Sequence, residues 1–147
     1  MDQPASLSAT LGIFRHHLYE LSKGMRPLVL MTVNAEAVTP IVERLVASGV
    51  AHHVHAACRS RFNVVFGRPA AVTAVKRFMS GPLCDLSAEH DFMLGILLGY
   101  DAEQQCLRYV ARAEAAGRAD APARRDAAAT AAETARALAE ASQAVRH

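Results

Sequence analysis

The apolar residues in the first part of the chain recur at helical spacing and then form short strand-like runs. Helical spacing predicts a first helix over about residues 12–24, ending at a glycine. The run PLVLMTV over 27–33 predicts a strand that is covered on both faces and lies centrally in its sheet. Asn34 stands at the N-cap position of a second helix, whose apolar stripe ends before Gly49. This part of the chain therefore predicts a helix, a strand and a second helix.

Two further strand-like runs follow. They are VAHHVHAA over 50–57 and FNVVF over 62–66, and the polar segment CRSR between them suits a four-residue hairpin loop. Pro69 is well placed as the first residue of a third helix. Ser87 and Asp101 carry the N-cap signals of a fourth and a fifth helix.

The order of these elements predicts an α/β (α+β) fold with a three-stranded sheet and about five helices. Strand, helix, strand, strand and helix match the first five elements of a partial ferredoxin-like βαββα core, with helices in place of the usual fourth strand. One edge of such a sheet stays open, and a second copy of the same chain is the simplest cover for it. We therefore expect a homodimer.

Composition divides the chain near residue 113. Residues 12–112 predict one compact α/β domain, because this part carries nearly all the large apolar residues. Residues 113–147 are an alanine-rich, low-complexity tail without an apolar stripe. We expect the tail to form a frayed helix or to be disordered.

Charge, apolar runs and cysteines narrow the class of protein. A formal net charge of +2, without alternating basic and aromatic residues, argues against a nucleic-acid partner. The longest apolar stretch, 92–100, is shorter than the roughly 20 residues that span a membrane, so no membrane association is expected. Three cysteines without a Cys-x-x-Cys pair suggest buried or free thiols in a reducing compartment, and we expect a cytoplasmic protein.

Three stretches carry a family resemblance: HHLYELSKGMRPLVLMT over 16–32, FNVVFGRP over 62–69 and DFMLGILLGYDAEQQCLRY over 91–109. Together they resemble a bacterial family that is classed only as a domain of unknown function. The resemblance covers about residues 13–110 and implies small three-stranded α/β homodimers, often encoded beside flavodoxin. It implies no catalytic residues.

Histidines on the second predicted strand are candidate metal ligands. Alternation places His53 and His55 on one face, roughly 7 Å apart along the strand. They could share a divalent metal if Cys58, His16 or His17 supplied a third ligand. The alternative is an exposed polar face of the sheet or of a dimer interface.

Arginines at the predicted hairpin are candidate binding residues. Arg59, Arg61 and Arg68 are expected to converge on one end of the hairpin, beside a helix N-terminus, where they could hold an anion or dock an acidic protein. Solvated loop charges are the alternative. Cys84 near His90 would suit a nucleophilic enzyme, although helix capping accounts for the acidic residues around them.

These observations favour a non-enzymatic, dimeric interaction protein, accessory to a redox partner such as flavodoxin and binding through the arginine-rich end of the hairpin. A sensor for a small molecule, an anion or a metal is the alternative. No nucleotide-binding or hydrolase motif occurs, and no cofactor is expected.

Overall fold

The computed structural model describes residues 6–119, 132–137 and 139–140. Residues 6–119 form strands and helices in the predicted order. The helices are α1 (Leu7–Ser22), α2 (Ala35–Ala47), α3 (Pro69–Phe78), α4 (Ala88–Leu97) and α5 (Ala102–Ala119); the strands are β1 (Leu28–Asn34), β2 (Ala51–Ala56) and β3 (Arg61–Gly67). A 3-10 turn, Leu83–Asp85, which the sequence did not predict, lies between α3 and α4.

Local side-chain chemistry begins two of these helices as predicted. The Ser87 hydroxyl accepts a hydrogen bond from the backbone N–H of His90 at 3.1 Å, and the Asp101 carboxylate accepts one from Gln104 at 2.9 Å. Both bonds satisfy backbone donors that the first turn of a helix leaves without a partner. Asn34 does occupy the N-cap position of α2, but its side chain makes no capping bond.

The sheet has the order β1-β3-β2, and both neighbouring pairs are antiparallel. This arrangement confirms the three-stranded α+β fold and gives the strand order of the βαββα layout. The prediction that β1 is central was wrong, because β3 lies between the other two strands. The apolar run of β1 has another cause: consecutive residues such as Leu28 and Val29 point to opposite faces, and helices bury both faces.

Two apolar clusters hold the helices on opposite faces of the sheet. Val64 and Phe66 of β3 face α1 and α2, where the rings of Phe14 and Phe66 meet edge to face with centroids 5.4 Å apart. Val65 faces α3 and α4. The sheet is therefore the middle layer of three, and α2 and α3 lie on different sides of it.

The β2–β3 hairpin ends in a tight turn that we call the hairpin tip, residues 57–61. Arg59 and Ser60 both have left-handed backbone angles, with φ of 58° and 59°. The N–H of Ala57 donates to the carbonyl of Arg61 at 2.8 Å. The hairpin is confirmed, and its loop has the predicted four residues. The loop is shifted by one position, to residues 57–60, because β2 ends at Ala56 and Arg61 already belongs to β3.

The chain divides into two compact units, Met1–Tyr109 and Val110–His147. The predicted boundary at residue 112 falls inside α5. Of the predicted tail, the described residues 113–119, 132–137 and 139–140 are helical, while 120–131, 138 and 141–147 lie outside the described residues. In the described part of the chain, no helix is both long enough and apolar enough to cross a membrane.

Gly67→Ala is expected to destabilise the protein strongly. A Cβ at this position, where φ is +155°, would lie 2.3 Å from the Pro27 carbonyl oxygen. We expect the free energy of unfolding to fall by about 2 kcal/mol or more in urea denaturation. Gly49→Ala is the control: its φ is +66° but no atom lies within 4 Å of the added Cβ, so only about 1 kcal/mol is expected. Equal losses of stability in the two variants would contradict the clash expected for Gly67→Ala.

Candidate functional site

A cavity of about 310 Å³ opens between the hairpin tip and the 3-10 turn, and we call it the tip pocket. The pocket lies on the sheet face that α3 and α4 cover, at the end of that face where apolar side chains give way to polar ones. Its walls are formed by Thr32 and Asn63 from the sheet, by Ala57, Cys58, Arg59 and Arg61 from the tip, and by Pro82, Leu83 and Cys84.

A hydrogen-bonded row of side chains runs from the pocket toward the edge of the sheet. Strand register places Thr32 and His55 on either side of Asn63. The Thr32 hydroxyl donates to the Asn63 carbonyl oxygen at 2.7 Å, and the Asn63 amide donates to Nε2 of His55 at 3.0 Å. Asn63 is 1% exposed, so without these bonds its buried amide would cost stability. The bonding assigns the neutral His55 ring with its proton on Nδ1.

The predicted histidine pair does form on this face of β2. The rings of His53 and His55 lie 5.4 Å apart between centroids. Burial, followed by the charge of Lys76, lowers the pKa of His53, although the Met79 backbone opposes the shift. Burial and the neighbouring His53 lower the pKa of His55. Both imidazoles are therefore held in the neutral form more strongly than an exposed histidine.

The two histidines supply only part of a metal site. Within the described residues, no group of three histidine, cysteine or acidic side chains is placed to hold a metal ion. His16 and His17, which we considered as third ligands, lie on α1 against the opposite face of the sheet. They pair there with Glu20, at 2.8 Å and 3.6 Å.

The predicted arginine cluster is divided. Arg59 and Arg61 are exposed at the hairpin tip and line the tip pocket. Arg68 follows the far end of β3, roughly 23 Å away at the usual rise of a strand, and its guanidinium lies close to Gly24. The prediction that all three converge was wrong, because the whole length of β3 separates Arg61 from Arg68.

The candidate nucleophile lacks the environment that it would need. The Cys84 thiol lies 3.8 Å from the Asp85 carboxylate, and desolvation, Asp85 and Cys58 together raise its pKa. The catalytic cysteine of a nucleophilic enzyme is typically activated by a lowered pKa. The His90 ring stacks on Phe78 with centroids 4.7 Å apart, and His90 is not among the residues that line the tip pocket with Cys84. The Cys84 and His90 pair therefore gives no support to an enzyme.

Sequence-based prediction missed Thr32 and Asn63, which line the pocket. Each is a polar residue within an otherwise apolar strand, and this interruption was the available signal. It also missed a polar cluster in which Arg26 bonds Nδ1 of His17 and lies 3.6 Å from Glu20. This second cluster joins the end of α1 to the start of β1 and has a structural role.

Residues 12–112 match a family model that is described as a protein of unknown function, DUF2023. The matched range contains all three strands and every residue that lines the tip pocket. No curated protein matches the chain.

The half-buried histidines His53 and His55 predict a loss of stability in mild acid. The folded state lowers the pKa of His53 and His55 below the ordinary 6.5, whereas the unfolded chain restores it. The unfolded state therefore binds more protons as the pH falls below about 6.5, and the free energy of unfolding decreases. Urea denaturation at pH 7.5 and 5.5 measures this decrease in the free energy of unfolding. We expect the decrease to be smaller in His53→Gln than in the wild type. His52→Gln, on the opposite face of β2, is the control and should leave it unchanged.

Proposed function

The chain belongs to the DUF2023 family of proteins of unknown function, and we propose that it is a non-enzymatic binding protein whose hairpin tip docks an acidic partner protein. One observation carries this proposal. Arg59 and Arg61 are exposed together at the tip, and neither has an ion-pair partner among the described residues. Two uncompensated charges at one protruding end form a surface that attracts acidic groups.

The backbone of the hairpin tip is held in a conformation that costs stability. Arg59 and Ser60 both occupy the left-handed region, where tight hairpin turns prefer glycine or asparagine. Holding other residues in sparsely populated backbone regions costs on the order of 1 kcal/mol each. Such strain is often found at binding sites, and here it falls on the exposed Arg59.

A flavodoxin-type redox protein is the partner that we propose. The resemblance of the sequence to a family encoded beside flavodoxin supports this choice, and a positive tip complements an acidic redox protein. Weak redox complexes use small interfaces, in which charge accelerates association and sets orientation. The low net charge of +2 makes a protein a better candidate than nucleic acid.

We further propose that the protein acts as a homodimer in the cytoplasm. In the described part of the chain, no strand pairs with the outer edge of β1 or of β2. Most β2 side chains are only half-buried, so this edge is the less protected of the two. Exposed sheet edges pair readily with other chains and can cause aggregation. Pairing with a second copy would cover this edge. The three free cysteines are consistent with a reducing compartment.

The alternative function is a small-molecule or anion sensor, and the tip pocket favours it. Its volume of about 310 Å³ lies at the lower end of the range for ligand pockets. Arg59 and Arg61, which line the pocket, would both favour an anionic ligand.

Reversing the charges at the tip is expected to weaken partner binding. For Arg59→Glu/Arg61→Glu, association with an acidic flavodoxin should slow on the order of tenfold at low salt, because long-range attraction acts on encounter. Raising the salt concentration should weaken wild-type binding and reduce the difference. Surface plasmon resonance at two salt concentrations measures both effects.

The matched control is Arg15→Glu/Arg68→Glu, which changes the net charge equally at exposed positions away from the tip. Equal slowing by both double variants would assign the effect to net charge alone. Absence of wild-type binding at low salt would overturn the flavodoxin partner. Stabilisation of the wild type by inorganic phosphate, lost only in the tip variant, would favour the anion sensor.

The mass of the native protein in solution tests whether it is a dimer. We expect light scattering at micromolar concentration to give twice the mass of the chain, and hydrogen exchange to show protection of the outward-facing amides of β2. A monomer at these concentrations would contradict the dimer. If the protein is a dimer but the β2 amides exchange freely, the interface lies elsewhere than at this edge.

A further inference from the structure

Two cysteines from separate segments of the chain meet at the tip pocket. Cys58 belongs to the hairpin tip and Cys84 to the 3-10 turn, and both line the same cavity. Both are free thiols exposed to solvent. The third cysteine, Cys106, lies on α5 and does not line this pocket.

We propose that Cys58 and Cys84 form a redox-active dithiol, which a disulfide oxidant converts to an intramolecular disulfide across the mouth of the tip pocket. The inference goes beyond the proposed function and does not depend on any partner. It rests on the shared cavity, on the exposure of both cysteines and on the influence of Cys58 on Cys84.

That influence appears in the ionisation of Cys84. After desolvation and the Asp85 carboxylate, the Cys58 side chain further raises the pKa of Cys84, through both charge and a hydrogen bond. Interactions of this kind require the two thiols to be neighbours. Both also lie in short surface turns: the Cys58 carbonyl accepts from the Arg61 N–H at 3.3 Å, and the Pro82 carbonyl accepts from the Asp85 N–H at 3.1 Å.

The chemistry is a thiol–disulfide exchange in two steps. The Cys58 thiolate first attacks the external disulfide, forms a mixed disulfide and releases one external thiol. Cys84 then loses its proton and attacks the sulfur of Cys58, which releases the second external thiol. Two protein S–H bonds are replaced by one S–S bond, and the two electrons reduce the external disulfide to two thiols.

The order of attack follows from the environment of Cys84. Its raised pKa keeps the Cys84 thiol protonated at neutral pH, so the first attack falls to Cys58. Once Cys58 is in a mixed disulfide, it can no longer carry the negative charge that raises the pKa of Cys84. The first step therefore removes one cause of the raised pKa of Cys84 and favours the second attack. The completed bond would tie the hairpin tip to the 3-10 turn and restrict Arg59, the residue next to Cys58.

The test treats the full, reduced chain with oxidised glutathione and identifies the products by intact mass and peptide mapping. Cys106→Ser leaves the proposed pair as the only cysteines, and we expect it to lose two hydrogens in mass and to yield a linked Cys58–Cys84 peptide. Cys58→Ser/Cys106→Ser should instead retain one glutathione on Cys84. Because these side chains are exposed, serine should preserve the fold, which the melting temperature of each reduced variant checks.

The rate of attack gives a second measurement. With Cys106→Ser as background, a variant that retains only Cys58 should form its glutathione adduct severalfold faster at pH 7 than one that retains only Cys84. Two stable glutathione adducts on Cys106→Ser, without an internal disulfide, would overturn the proposal. Disulfide-linked dimers as the main product, on a non-reducing gel, would overturn it as well.

Discussion

Strand β3 is buried on both faces, and the rest of the fold depends on this burial. Val64 and Phe66 pack toward α1 and α2, while Val65 packs toward α3 and α4, and all three are fully buried. A shift of one residue in strand pairing would exchange the two faces and place each side chain against the wrong pair of helices. Two-sided burial therefore fixes the register of β3 with both of its neighbours.

The same register creates the candidate site. Asn63 is the one buried polar residue in the described part of the chain, and it lies where the apolar cover of the sheet ends. Its amide is satisfied by Thr32 on one side and by His55 on the other, both within the sheet. Beside this row, the hairpin tip and the 3-10 turn border an open pocket. The pocket thus lies where the apolar core ends.

Exposed chemistry is concentrated at this end of the molecule. The tip carries two arginines without ion-pair partners in the described residues, and its backbone is held in the left-handed region. Cys58 and Cys84 face the same cavity. A charged, strained and thiol-bearing surface adds little to stability, and this is the surface on which we propose partner binding. The open edge of β2 is a separate surface, on which we propose the contact with a second copy.

The sequence by itself determined the elements, their order and the hairpin, because periodicity, caps and turn residues act over a few neighbouring positions. Ser87, Asp101 and Pro69 begin helices where the sequence predicted them. Only the tertiary structure decided which strand is central, because an apolar run such as that of β1 records burial and not position in the sheet. It also separated Arg68 from the hairpin tip, a distance set by the length of β3. The shared pocket of Cys58 and Cys84, and the bonds that satisfy Asn63, bring together residues far apart in the chain, and no local pattern specifies such contacts.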